Sequence, residues 1–146
     1  MKLQQSICLT AVLLIPGVPG ASVRAGEPAV NPSGTWELAL TSTNTPVRPT
    51  ENVLKLKLAD SALTGTLSNV STVNGKSRVY NWAIKDAKLQ GSDISFTVTH
   101  PFQVGHGIVT TRYEGKIEGD TIKGTCRIEF SGHTYTRGWE ATRVRE

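Results

Sequence analysis

From residue 34 onward, apolar and polar residues alternate with a period of two. Trp36, Leu38 and Leu40 follow this rule, as do Leu54, Leu56 and Leu58, then Leu63 and Leu67, then Ile94, Phe96 and Val98. A period of two places one face of a strand against a core and the other against water. Turn signals recur about every ten residues: Asp60-Ser61, Asn74-Gly75, Gly91-Ser92, Gly119-Asp120 and Ser131-Gly132. Asn-Gly is the strongest two-residue hairpin signal among them. Pattern and turns together predict eight strands, at 34–42, 53–59, 62–73, 76–89, 93–100, 107–118, 121–130 and 133–144. No stretch carries the i, i+3, i+4 spacing of a helix, so the fold class is all-β and meandering. Two connections are longer, "TNTPVRPTE" (43–51) and "PFQVGH" (101–106).

A two-residue hairpin loop fixes which residues face each other. Leu58 then faces Leu63, Leu56 faces Gly65, and Leu54 faces Leu67, which in turn faces Trp82. Ile117 faces Ile122, Gly115 faces Gly124 and Tyr113 faces Cys126; Ile128 faces Tyr135, Cys126 faces Arg137 and Gly124 faces Trp139. All these pairs fall on one face. The phase slips once: Tyr80, Trp82 and Ile84 share a face that Ala87 and Leu89 must rejoin, which requires a bulge near Lys85–Asp86. Eight antiparallel strands with one apolar face are expected to close into an up-and-down β-barrel and so lose their edges. The alternative is a two-sheet β-sandwich.

Charge and cysteine content narrow the functional classes. Residues 1–25 carry Lys2, the apolar run "ICLTAVLLIPGVPG", which is too short to span a bilayer, and small residues in "SVRA". These features predict a signal peptide cut after Ala25 and a secreted or periplasmic protein with no membrane anchor. Residues 26–32 are expected to form a flexible leader, and 33–146 a single domain. Removing Lys2 and Arg24, and no acid, lowers the formal charge from +4 to +2. The concentrated basic face of a nucleic-acid binder is therefore not expected. Cys126 is left as the lone cysteine of the mature chain, safest when buried in an oxidising compartment.

The segments "SGTWELAL", "ALTGTLSN", "IKGTCRIEF" and "RGWEATRVR" resemble the calycin group of β-barrels. Gly34-Thr35-Trp36 resembles the lipocalin Gly-x-Trp, "LTGT" (63–66) looks more like the avidin family, and the whole is similar to short secreted bacterial domains of unknown function. The resemblance implies that Trp36 packs across a closed barrel end beneath Arg143, with Trp139 nearby, as a structural floor. It does not imply biotin binding, because avidin's polar contact residues have no counterparts here.

In such a barrel the long connections collect at the end opposite Trp36 and Arg143. That rim would hold Arg48, Arg78, His100, Phe102, His106, His133 and Tyr135. The register also turns Arg137 inward, beside Cys126 and near Tyr113, on a face with no acid. A buried arginine without a carboxylate is costly. Water at the mouth, carbonyl and tyrosine hydrogen bonds, or an anionic ligand would each relieve it. The ligand set expected on this reading is Arg137, Tyr113, Tyr135, Arg78, His100 and His133. His100, His106 and His133 come from separate loops without a partnering cysteine or carboxylate, so neither a metal nor any other cofactor is expected. No Gly-x-Ser-x-Gly or phosphate-binding loop occurs, and parity turns Glu114 and Glu118 outward, so no enzymatic activity is expected. The leading expectation is binding of a small amphipathic or anionic molecule at the open end. A protein-interaction module such as a secreted protease inhibitor acting through 26–32, and a structural envelope protein with no ligand, stand as alternatives.

Overall fold

The computed structural model describes residues 30–41, 52–102 and 107–145. The predicted signal peptide lies outside them. The strands are β1 (Gly34–Thr41), β2 (Asn52–Ala59), β3 (Ala62–Val73), β4 (Lys76–Ala83), β5 (Lys85–Gln90), β6 (Asp93–Pro101), β7 (Ile108–Glu118), β8 (Thr121–Phe130) and β9 (His133–Arg143). All belong to one antiparallel up-and-down sheet in the order β4-β3-β2-β1-β9-β8-β7-β6-β5. The two-sheet alternative is thereby excluded.

Two features of the expected barrel are corrected. Among the described residues there are nine strands rather than eight, and no ladder closes the sheet on itself, because β4 and β5 stand at its two ends. The physical reason lies at Ile84, where the predicted strand 76–89 divides. Its first half stays with β3 and its second half pairs with β6. The Ile84 N–H still donates to Gly65 O at 3.1 Å, and β5 lies against β3 while β4 lies against β6. The sheet therefore coils into a barrel-like wall with a seam between β4 and β6.

Elsewhere the pairings follow the hairpin arithmetic. Leu54↔Leu67, Leu67↔Trp82, Tyr113↔Cys126, Cys126↔Arg137 and Gly124↔Trp139 are all register partners. Asn74 and Gly75 both have positive φ, 52° and 72°, as the type I′ turn demands. The expected bulge is present: the β5–β6 register shifts between Lys85 and Lys88, and Asp86 has φ 49°. It returns Ala87 and Leu89 to the core face, where both pack against the buried cluster.

The core holds Trp36, Leu54, Ile94, Phe96, Ile122 and Trp139, each at most 2% exposed. Trp139 enters it over facing glycines. A Cβ on Gly115 would stand 2.8 Å from the indole, and one on Gly124 would overlap Glu114 O. Glycine here lets two strands coil closely and leaves the space an indole fills. The indole N–H is shared between Glu114 O (3.0 Å) and Thr125 O (3.1 Å).

One end of this wall is sealed. Trp36 is fully buried, and its indole N–H donates to Pro32 O at 2.9 Å. Arg143, its register partner on β9, lies over the ring with Cζ 4.2 Å from the centroid. The same guanidinium donates to Ser33 O and to Asn31 O, and its Nε sits 3.1 Å from the Asp120 carboxylate. Residues 30–32, expected as the end of a flexible leader, are thus part of the fold: Val30 and Pro32 pack, and Asn31 is bonded. Gly34 has φ 141°, and a Cβ there would stand 2.8 Å from Arg143 Nη1. Trp139, read from sequence as near this floor, lies four residues before Arg143 on β9, in the middle of the core against Phe96 and Tyr113.

Gly34→Ala should destabilise the protein by about 2 kcal/mol, read as a lower urea midpoint at unchanged slope. Hydrogen bonding from Arg145 and the charge of Arg143 hold the Asp120 carboxyl below its ordinary pKa. Its pairing therefore contributes stability above the carboxylate range and loses that contribution as pH falls through the lowered value. Asp120→Asn should lower stability at pH 7 and flatten the loss seen below about pH 4 in urea titrations. An unchanged acid profile would remove Asp120 from this role.

Candidate functional site

At the opposite end, among the described residues, two hairpins outrun the core. Residues 72–81 of β3–β4 and 131–137 of β8–β9 are exposed on both faces. Register still defines an inner face along them. Arg78 is opposite Ser71 and Tyr80 opposite Asn69, on the face that carries Leu67 and Trp82. Tyr135 and Arg137 are opposite Ile128 and Cys126, on the face that carries Trp139.

Aromatic rings line one side of this mouth. Tyr80 stacks on Trp82 (5.9 Å, 3°), and Trp82 lies against His100 (4.7 Å, 31°). The second contact bridges β4 and β6 across the seam. On β9, Tyr135 is 52% exposed and lies 6.5 Å from the His133 ring. Tyr113 sits deeper, stacked on Phe96 (4.8 Å) and edge-on to Trp139 (5.4 Å). Burial pushes its phenol well above the ordinary range, with a further push from Cys126. Burial also raises the Cys126 thiol, partly offset by the backbone and charge of Arg137. Both groups are therefore neutral at pH 7, beneath the Arg137 position.

Arg137 is exposed, which corrects the expectation of a buried cation. Parity reports the face a side chain occupies, whereas depth depends on how far the hairpin projects beyond the packed layer. Water solvates this guanidinium, so its burial cost does not arise. Arg78 is likewise exposed, and neither forms an ion pair with a carboxylate among the described residues. The inner wall of both projecting hairpins carries no acid.

Of the residues expected to meet a ligand, Tyr135 and Arg137 share the inner face of β9, Arg78 lies on β4 and His100 on β6. Tyr113 belongs to the core, and His133 is an exposed rim residue. Arg48 and His106 lie outside the described residues. Tyr80 and Trp82 join the mouth without having been assigned to it. Their shared parity with Arg78 was the available signal. Among the described residues no group of three or more histidines, cysteines or acids is placed to hold a metal. A shallow groove of about 620 Å³ crosses the outer wall over Gly115 and Gly124, lined among others by Lys88, Glu114, Lys116 and Lys123. Acids and bases intermingle there, so it favours no ligand charge.

No protein-family model matches the chain, and no curated protein matches it in sequence. The architecture itself, one coiled antiparallel sheet with a sealed end and a projecting end, is what bears on function.

The neutral Tyr113 gives a direct check. Tyr113, one of three tyrosines, should be silent in alkaline difference spectra. Tyr113→Phe should leave the phenolate amplitude developed up to about pH 11 unchanged. A fall by about a third would place Tyr113 within reach of ordinary titration.

Proposed function

We propose that this is an exported calycin-like binding protein that holds a small amphipathic anion at its open end, without chemistry of its own. The observation that carries the reading is the inner wall of the projecting hairpins: two arginines, Arg78 and Arg137, no acid, and a row of rings from Tyr80 through Trp82 to His100. A guanidinium presents a planar fork to a carboxylate or similar anion, and charge-assisted bonds of this kind are the strong ones. The apolar part of such a ligand lies along the rings, with Tyr135 on the inner face of the β8–β9 hairpin. Trp139, Phe96 and Tyr113 fill the interior below, so the ligand is held in the mouth rather than engulfed. The signal-like residues 1–25 support export, and the neutral buried thiol at Cys126 argues against a nucleophile at this site.

Laurate serves as the probe, titrated calorimetrically. Arg137→Ala should weaken its binding about tenfold, and adding Arg78→Ala should abolish measurable binding, with circular dichroism unchanged. Equal affinity in all three proteins would overturn the reading.

A further inference from the structure

The seam leaves a second recognition element, formed by backbone rather than by side chains. In the β3–β4 hairpin, Val73 and Lys76 flank the two-residue turn and form its closing bonded pair. Bonded and non-bonded pairs alternate from there, so Arg78, Tyr80 and Trp82 bond to β3. Ser77, Val79, Asn81 and Ala83 direct their N–H and C=O groups away from it. The Ile84 N–H bonded to Gly65 O fits the same alternation. Continuing the parity, Lys85 points toward β6, where it pairs with Thr97. Below this point the wall is joined. Above it β4 and β6 diverge, with the Trp82–His100 contact at the base of the notch.

The two sides of this notch differ. On β6, Pro101 has no N–H to offer, which is how natural sheets guard an edge. On β4, Ser77, Val79 and Asn81 offer donors and acceptors over about 17 Å of extended chain. Val79, which faces outward between them, is 61% exposed. Among the described residues nothing pairs with this edge.

We propose that the β4 edge receives an extended acidic peptide, which adds a strand to the sheet through the backbone groups of Ser77, Val79 and Asn81. The sign of charge selects the occupant. From Ala62 to Lys85 the chain has no acid, and its cations, Lys76, Arg78 and Lys85, lie along β4 and at its foot. A second copy of β4 would set Lys76 and Arg78 near their own counterparts, whereas glutamates on a foreign strand would complement them. Strand addition of this kind takes affinity from the main chain and specificity from side chains. The backbone groups that bond the peptide lie in the plane of the wall and point across the notch toward β6, not into the mouth, so this site is distinct from the arginine–aromatic one and shares only Arg78 with it.

The probe is a capped, fluorescein-labelled octapeptide of alternating valine and glutamate, followed by anisotropy. Its controls are the same peptide N-methylated at every second residue and a version with lysine replacing glutamate. Val79→Pro removes a donor that β3 does not use, so the hairpin should persist, checked by circular dichroism. The glutamate peptide should bind the wild type. Binding should fall at least tenfold with Val79→Pro, with N-methylation and with the lysine peptide, while laurate affinity in Val79→Pro stays unchanged. No binding of the glutamate peptide, equal binding of the N-methylated or lysine peptides, or equal binding by a folded Val79→Pro would each overturn the proposal. A concentration-dependent dimer that Val79→Pro dissolves would overturn it in favour of a second copy. Should Val79→Pro not fold, the N-methylated peptide on the wild type decides the matter.

Discussion

Arg143 holds the first and last strands of the described chain together, and the polarity of the whole wall follows from that contact. Its guanidinium covers the Trp36 indole at 4.2 Å and reaches the carbonyls of Asn31 and Ser33 and the carboxylate of Asp120. A flat cation with donors on several sides suits this position; an ammonium would cover the ring poorly and reach fewer partners. Gly34 makes room for it, and the Gly-x-Trp pattern is thereby explained: the glycine accommodates the arginine and the tryptophan supports it. With this end occupied by side chains, the exposed inner face lies at the other end, on the projecting hairpins.

The second organising feature is a strand that serves two neighbours. Backbone parity runs unbroken from Ser77 to Lys85, yet the groups on that side meet β6 only at Lys85. The wall is therefore joined along its lower half and parted above. The β3–β4 wall of the mouth owes its free side to this division. The bulge at Asp86 then restores the core face, so the seam costs the interior nothing in continuity.

Much of this was legible from residue types alone. Two-residue turns set register, and a period of two separated the core from the surface, so pairs such as Tyr113 with Cys126 and Gly124 with Trp139 could be read in advance. The division at Ile84 was not legible, because no glycine or proline marks it; it follows from where β3 and β6 part company. Depth was not legible either. Arg137 has the parity of a core residue and the exposure of a surface one, because alternation is blind to where the packed layer ends. The Trp82–His100 contact joins residues from strands that do not pair, so no hairpin arithmetic reaches it.

The sealed pole also determines how the protein can be displayed. Val30 enters the fold beside Pro32 and Trp36, and Arg145 leaves it bonded to Asp120, so the chain arrives and departs on the same side. Anchoring by either terminus, to a bead, a reporter or a cell envelope, would direct the projecting hairpins away from the support and toward the surrounding medium.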